Sequence, residues 1–261
     1  MFHIKRHVLS ALLLTSAFAP RAFSQTGTFT SMSMASYGPL VSPDSIVAGF
    51  GTNLGVGNTA GSPPLQTTLA GSSVLIVDSA GTKFAAPLYL VSPSQINYLI
   101  PAAAAIGKAT VTVTTAASMS TGTLLISNIA PAFATASADG KGVPAAQVLR
   151  VTGAGVTSFQ VTFMGTTGYF TPAPINLTTP GDRVYLMLYG TGIRRHSLNP
   201  VIATVGGVRV PVLYAGPQNQ FPGLDQVNIG PLPQTLVGKG AVNLILTVDG
   251  VPANTVALNF Q

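Results

Sequence analysis

Ser94-Gln95-Ile96-Asn97-Tyr98-Leu99-Ile100-Pro101 returns as Asp225-Gln226-Val227-Asn228-Ile229, with a proline following at Pro233. Gln, Asn and the apolar residues between them alternate with period two, as in a half-buried strand. Gly107-Lys108 returns as Gly238-Lys239 at the same offset of 131 residues. Gly51-Thr52 returns as Gly190-Thr191 at an offset of 139, so loops of different length separate otherwise matching blocks. Blocks repeated in one order imply two copies of one domain fold.

Working outward, the chain shows no long amphipathic pattern. Apolar residues fall in short β-branched runs cut by 28 Gly and 20 Pro. Such runs predict strands at regular spacing, among them Ser45–Phe50, Gln95–Ile100, Ser158–Phe163, Arg183–Tyr189 and Val242–Val248. Gly206-Gly207 and Asp249-Gly250 supply the positive-φ pairs that two-residue hairpins demand. Asp78-Ser79-Ala80-Gly81 predicts a longer hairpin loop. The fold class is therefore all-β, with two tandem immunoglobulin-like β-sandwich domains behind an N-terminal signal peptide. The boundaries fall at residues 1–24 for the signal, 25–36 for a linker, 37–131 for the first sandwich and 132–261 for the second.

The signal reading rests on Lys5-Arg6-His7 followed by the apolar run Val8–Ala19, too short to span a bilayer. Ala22 and Ser24 suit the −3 and −1 positions of a cleavage site, leaving Gln25 as the mature start. Removal of Lys5, Arg6 and Arg21 brings the formal charge from +6 to +3, and His196 becomes the sole histidine. With only the pair Arg194-Arg195 adjacent, no basic stripe marks a nucleic-acid partner. No membrane insertion is expected after cleavage.

Several blocks together resemble the uncharacterised Solibacter-type C-terminal domain of secreted acidobacterial proteins. They are Ala35-Ser-Tyr37-Gly-Pro39, Pro43–Leu54, Leu88–Asn97, Ile129–Phe133, Val212–Pro217, Gly223–Asn228 and Leu246–Gly250. The resemblance covers the chain from about residue 33 to its end. It implies paired immunoglobulin-like units similar to IPT/TIG domains and brings no catalytic residues with it.

Composition narrows the chemistry. There is no Cys and no Glu, and charged residues make up 7% of the chain. Thiolate nucleophiles and disulfides are excluded. One mature histidine without a Gly-x-Ser-x-Gly elbow does not form a hydrolase triad, nor does it lead a zinc site. The acids Asp44, Asp78, Asp139, Asp182, Asp225 and Asp249 are dispersed singly, which suits turns better than calcium loops or glycosidase pairs. No cofactor or metal site is expected. The polar and aromatic binding candidates are Gln95, Asn97, Gln226, Asn228, Tyr169 and Phe221. The Gln and Asn amides are expected to satisfy buried backbone groups. Tyr89 and Tyr214 are expected to be near-equivalent in the two copies. The function that follows is a secreted, non-catalytic structural or adhesive protein at the cell exterior, meeting an unknown protein or polysaccharide surface. A carbohydrate-binding accessory module is the alternative, and an outer-membrane β-barrel a distant one.

Overall fold

The computed structural model describes residues 24–25, 28–166 and 168–261. The expected signal peptide lies, apart from Ser24, outside the described residues.

The repeat of sequence is a repeat of topology. In the first copy, one sheet runs Thr30–Ser33, Ile46–Phe50, Gln95–Leu99, Leu88–Val91. The second copy orders Ala146–Val151, Arg183–Thr191, Asp225–Ile229, Val212–Pro217 in the same way. The facing sheet of the first copy is Ser118–Ile126, Gly107–Thr114, Ser72–Val77, and Lys83–Ala85 pairs with the last of these. Its counterpart is Val256–Phe260, Gly240–Val248, Ile202–Val205, Val208–Val210. Even the short parallel strands correspond: Leu40–Val41 lies on Ser118–Ile126, and Pro174–Ile175 on Val256–Phe260. Each sandwich buries its own apolar core, one from Phe29 to Ile126, the other from Ile129 to Phe260. Among the described residues no sheet closes on itself; they form paired sandwich sheets in place of the β-barrel alternative. Among the described residues no helix is long and apolar enough to cross a membrane.

Equivalent core positions show how each copy fills its space. Tyr98 is fully buried and its hydroxyl bonds Ser31 Oγ at 2.8 Å. The register places Ile229 and Ala146 at these positions in the second copy. A hydrogen-bonded pair in one core is thus replaced jointly by an apolar pair in the other. Neither leaves a lone buried hydroxyl, which costs about 1–3 kcal/mol. Where the second copy has Leu188, the first has Gly49, and Phe29 occupies the volume. A Cβ on Gly49 would lie 2.3 Å from the Phe29 ring. From Phe29 on, the segment expected as a linker is part of the first sandwich. It delivers Phe29 to the core and Thr30–Ser33 to the sheet.

The turns follow the expected chemistry. Gly206 and Gly207 have φ of 56° and 78° between the paired residues Val205 and Val208. Asp249 and Gly250, at 48° and 81°, join Val248 to Val251. That returning strand carries one extra residue before Val256–Phe260 resumes the ladder. The bulge aims Asn254 at Ala132–Phe133, a two-residue strand paired with the end of Arg183–Thr191. Its Oδ1 accepts from Phe133 N–H at 2.7 Å, and its Nδ2 donates to the Phe133 and Gly140 carbonyls.

The second copy departs from the first by an insertion between its first two strands. Thr157–Val161 extends the sheet beside Ala146–Val151. The expected single strand Ser158–Phe163 breaks at Thr162, whose buried hydroxyl bonds Pro144 O at 2.6 Å. Phe163–Thr166 and Tyr169–Pro172 then form a separate hairpin, closed by an edge-on contact of Phe163 and Phe170 at 5.3 Å.

A dense polar junction joins the copies. Thr191 Oγ1 accepts from Ile46 N–H at 2.9 Å and donates to Gly223 O at 2.8 Å. Arg195 bonds Asp44 and the Ala102 carbonyl. The Tyr89 hydroxyl donates to Pro222 O at 2.5 Å, and burial pushes its pKa up to about 12, so it remains a donor. Arg194 turns inward to Asp225 at 2.6 Å. Burial pushes the Asp225 carboxyl upward, against the pull of the Ile193 N–H and the guanidinium. Both members of the Arg194-Arg195 pair are thus engaged by the protein's own carboxylates.

Candidate functional site

The open surface that gathers the most binding chemistry is the outer face of the second copy's sheet across five of its six strands, Thr157–Val161, Ala146–Val151, Arg183–Thr191, Asp225–Ile229 and Val212–Pro217. Alternation in Val184-Tyr185-Leu186-Met187-Leu188-Tyr189 sends Val184, Leu186 and Leu188 to the core and the other three outward. In Asp225–Ile229, Val227 and Ile229 point in, and Gln226 and Asn228 point out. The register aligns Val161, Gln147, Met187, Asn228 and Tyr214 in one row across all five strands. Tyr189 and Gln226 pair in the row on one side, and Phe159, Leu149 and Tyr185 form the row on the other.

Glycines let two rings lie against the sheet. A Cβ on Gly216 would sit 3.1 Å from Tyr214 Cζ, and one on Gly230 would sit 2.8 Å from Tyr185 Cδ1. The Tyr214 hydroxyl is pinned to Pro217 O at 2.5 Å, and that of Tyr189 bonds Gln147 Oε1 at 3.3 Å. Gln226 Nε2 donates to Asn228 Oδ1 at 2.9 Å. The Gln226 carbonyl and the Asn228 NH₂ make no further hydrogen bond among the described residues. Asn228 retains donors and Gln226 an acceptor for a ligand. The one charge on this face is Arg183, at its end opposite Val151. The face offers flat rings, amides and almost no charge.

The first copy carries the same motif in a different setting. Gln95 Nε2 donates to Asn97 Oδ1 at 2.8 Å. Both Gln-x-Asn pairs bond within themselves, correcting the expectation that their amides satisfy buried backbone groups. The face around Gln95 and Asn97 is partly covered. Ala48, at the position of Met187, is fully buried, and the loop at Gly223 reaches Leu99 and Ile46. Tyr37 packs beside Phe50 with centroids 6.2 Å apart.

The other two candidates lie elsewhere. Tyr169 is 84% exposed on the inserted hairpin. Phe221 is 47% exposed and lines a cleft of about 560 Å³ between the copies, with Pro63, Pro64, Arg194 and Pro222. The six predicted residues do not form one site. Tyr89 and Tyr214 are not equivalent either: a bulge in each copy sets Leu90 opposite Asn97 and Tyr214 opposite Asn228. They share the anchoring of a hydroxyl to a proline carbonyl. Tyr185, Tyr189, Met187 and Gln147 were missed, although the alternation in Arg183–Thr191 already places Tyr185, Met187 and Tyr189 opposite the core-facing residues.

The carboxylates and the His196 ring are committed to architecture. Asp78 accepts from the N–H groups of Ala80, Thr82 and Ala105, and these bonds, Ala105 foremost, hold its carboxyl below the usual range. Asp249 grips Ser197 through both oxygens. Asp182 pairs with Arg150, Asp44 with Arg195, and Asp225 with Arg194. Asp139 accepts from Thr135 and Lys141 within its own loop. Both His196 ring nitrogens lie against backbone carbonyls, of Ser197 at 2.7 Å and Ala215 at 3.1 Å. No cluster of three metal-ligating side chains occurs among the described residues.

No family model and no curated protein matches the chain. Among solved structures it is similar to SGBP-B of the Bacteroides ovatus mixed-linkage glucan utilization locus, in complex with a mixed-linkage heptasaccharide. The identity is 12% and the TM-score 0.34, over 85% of this chain and 44% of that one. It is also similar to the full extracellular region of plexin A4, at 11% identity and a TM-score of 0.27, over 99% of this chain and 20% of that one. The chain spans less than half the length of either structure, and likenesses of this size carry no argument about function.

Proposed function

We propose that the protein is a non-catalytic binding module of the cell exterior whose second sandwich takes up an uncharged polysaccharide chain. The observation that carries this is the outer sheet face, where Tyr185, Tyr189 and Tyr214 surround the amides of Gln147, Gln226 and Asn228. A pyranose ring has apolar C–H faces that suit aromatic rings, and hydroxyls that both donate and accept as carboxamides do. A flat face suits an extended chain better than a small enclosed ligand. The near absence of charge favours a neutral glycan over an acidic one. An exported setting agrees with the basic and apolar N-terminus and with the resemblance to the Solibacter-type domain.

Affinity electrophoresis in gels containing β-glucan, xylan, galactomannan or polygalacturonate tests this reading. Retardation by at least one neutral polymer and none by polygalacturonate is expected. Tyr214→Ala and Asn228→Ala should each weaken retention about tenfold, the cost of one lost stacking or hydrogen-bonded contact of about 1.4 kcal/mol. Unretarded migration in every neutral polymer would overturn the reading.

A further inference from the structure

Sheet edges present unpaired backbone groups, and proteins ordinarily protect them with short strands, bulges, proline or charge. Most edges here obey that rule. Thr59–Ala60, Lys83–Ala85, Val208–Val210 and Pro174–Ile175 are two or three residues long. Val212–Pro217 is bulged and flanked by Pro211. Thr157–Val161 breaks it. This strand has five residues in unbroken register with Ala146–Val151, all of them exposed, without charge, proline or glycine. Phe159 is 59% exposed at its centre.

The ladder fixes which groups are free. Thr152 N–H donates to Val156 O at one end, and Thr162 N–H donates to Ala146 O at the other. Antiparallel bonding alternates, so Ser158 and Gln160 turn their backbone groups toward Ala146–Val151. Thr157, Phe159 and Val161 turn theirs to the open edge.

We infer that this edge pairs antiparallel with the same strand of a second copy, about a twofold axis at Phe159. Phe159 then opposes its own copy, Thr157 opposes Val161, and Ser158 opposes Gln160. These are aromatic, β-branched and polar pairs with no like charges in apposition. The contact is self-complementary, as a twofold interface must be. It forms about six backbone hydrogen bonds and joins two open faces into one continuous sheet. It stands independently of the glycan reading, since it uses backbone groups that no ligand on the face would touch.

The absence of cysteine gives a direct test. In the inferred register the two Phe159 Cα atoms lie about 5.5 Å apart, within disulfide range. Phe159→Cys should oxidise to a covalent dimer under mild conditions, whereas Tyr169→Cys, more exposed but off the strand, should remain monomeric. Sedimentation of the unmodified protein should show a reversible dimer. Val161→Pro removes one outward N–H per chain while sparing the inner ladder, and should weaken association about tenfold or more. Circular dichroism confirms that each variant is folded. A protein monomeric at every concentration, or a Phe159→Cys variant that links no faster than Tyr169→Cys, would overturn the inference.

Discussion

Single side chains in this protein are used for architecture to an unusual extent, because few of them carry charge. Asp225 is wholly buried beside Arg194, and Arg194→Met would strand a carboxylate without its cation. Breaking such a pair costs about 3–5 kcal/mol, measurable by urea denaturation. Ser42 is the opposite case. Its hydroxyl is buried at the junction without a hydrogen-bond partner among the described residues, so Ser42→Ala should leave the midpoint unchanged or raise it. Asp78 supplies a pH signature. Its carboxyl is held below its usual range, so its contribution is present above about pH 4 and lost as pH falls through the folded value. Asp78→Asn should therefore lower stability at pH 7 and flatten the loss on acidification.

At the level of elements, the strands and tight turns were readable because period-two alternation and paired glycines act locally. Gly206-Gly207 and Asp249-Gly250 are such cases, and the Gln-x-Asn strands another. What escaped reading depends on distant partners. Nothing near Phe29 says that Gly49, twenty residues on, leaves a hole for its ring, so the segment looked like a linker. Nothing in Val156–Phe163 announces that Thr162 is drawn inward by Pro144. Of the candidate site, Gln226 and Asn228 were found through repetition. Tyr185 and Tyr189 stand out only once the residues on either side of them are assigned to the core and the outer face. The bulge at Asn254 is likewise invisible until the ladder is laid out. Asn254→Ala would free three backbone groups at once, with an expected loss of about 1–3 kcal/mol, detectable as a lowered melting temperature.

For the whole molecule, repetition explains both likeness and division of labour. Two copies with one topology present equivalent faces, but the Gly223 loop and Tyr37 lie over the first, leaving the second open. The scarcity of charge acquires a meaning here: most of the six carboxylates and the Arg194-Arg195 pair are spent on internal contacts, and the remaining face is amide and ring. Titration of the ¹⁵N-labelled protein with a soluble neutral oligosaccharide, followed by NMR, tests this assignment most directly. The account predicts concentration-dependent shifts at Gln147, Met187, Gln226, Asn228 and Tyr214, with Gln95, Asn97 and Phe50 unmoved. Shifts confined to the first copy, or no shifts with any neutral oligosaccharide, would contradict it.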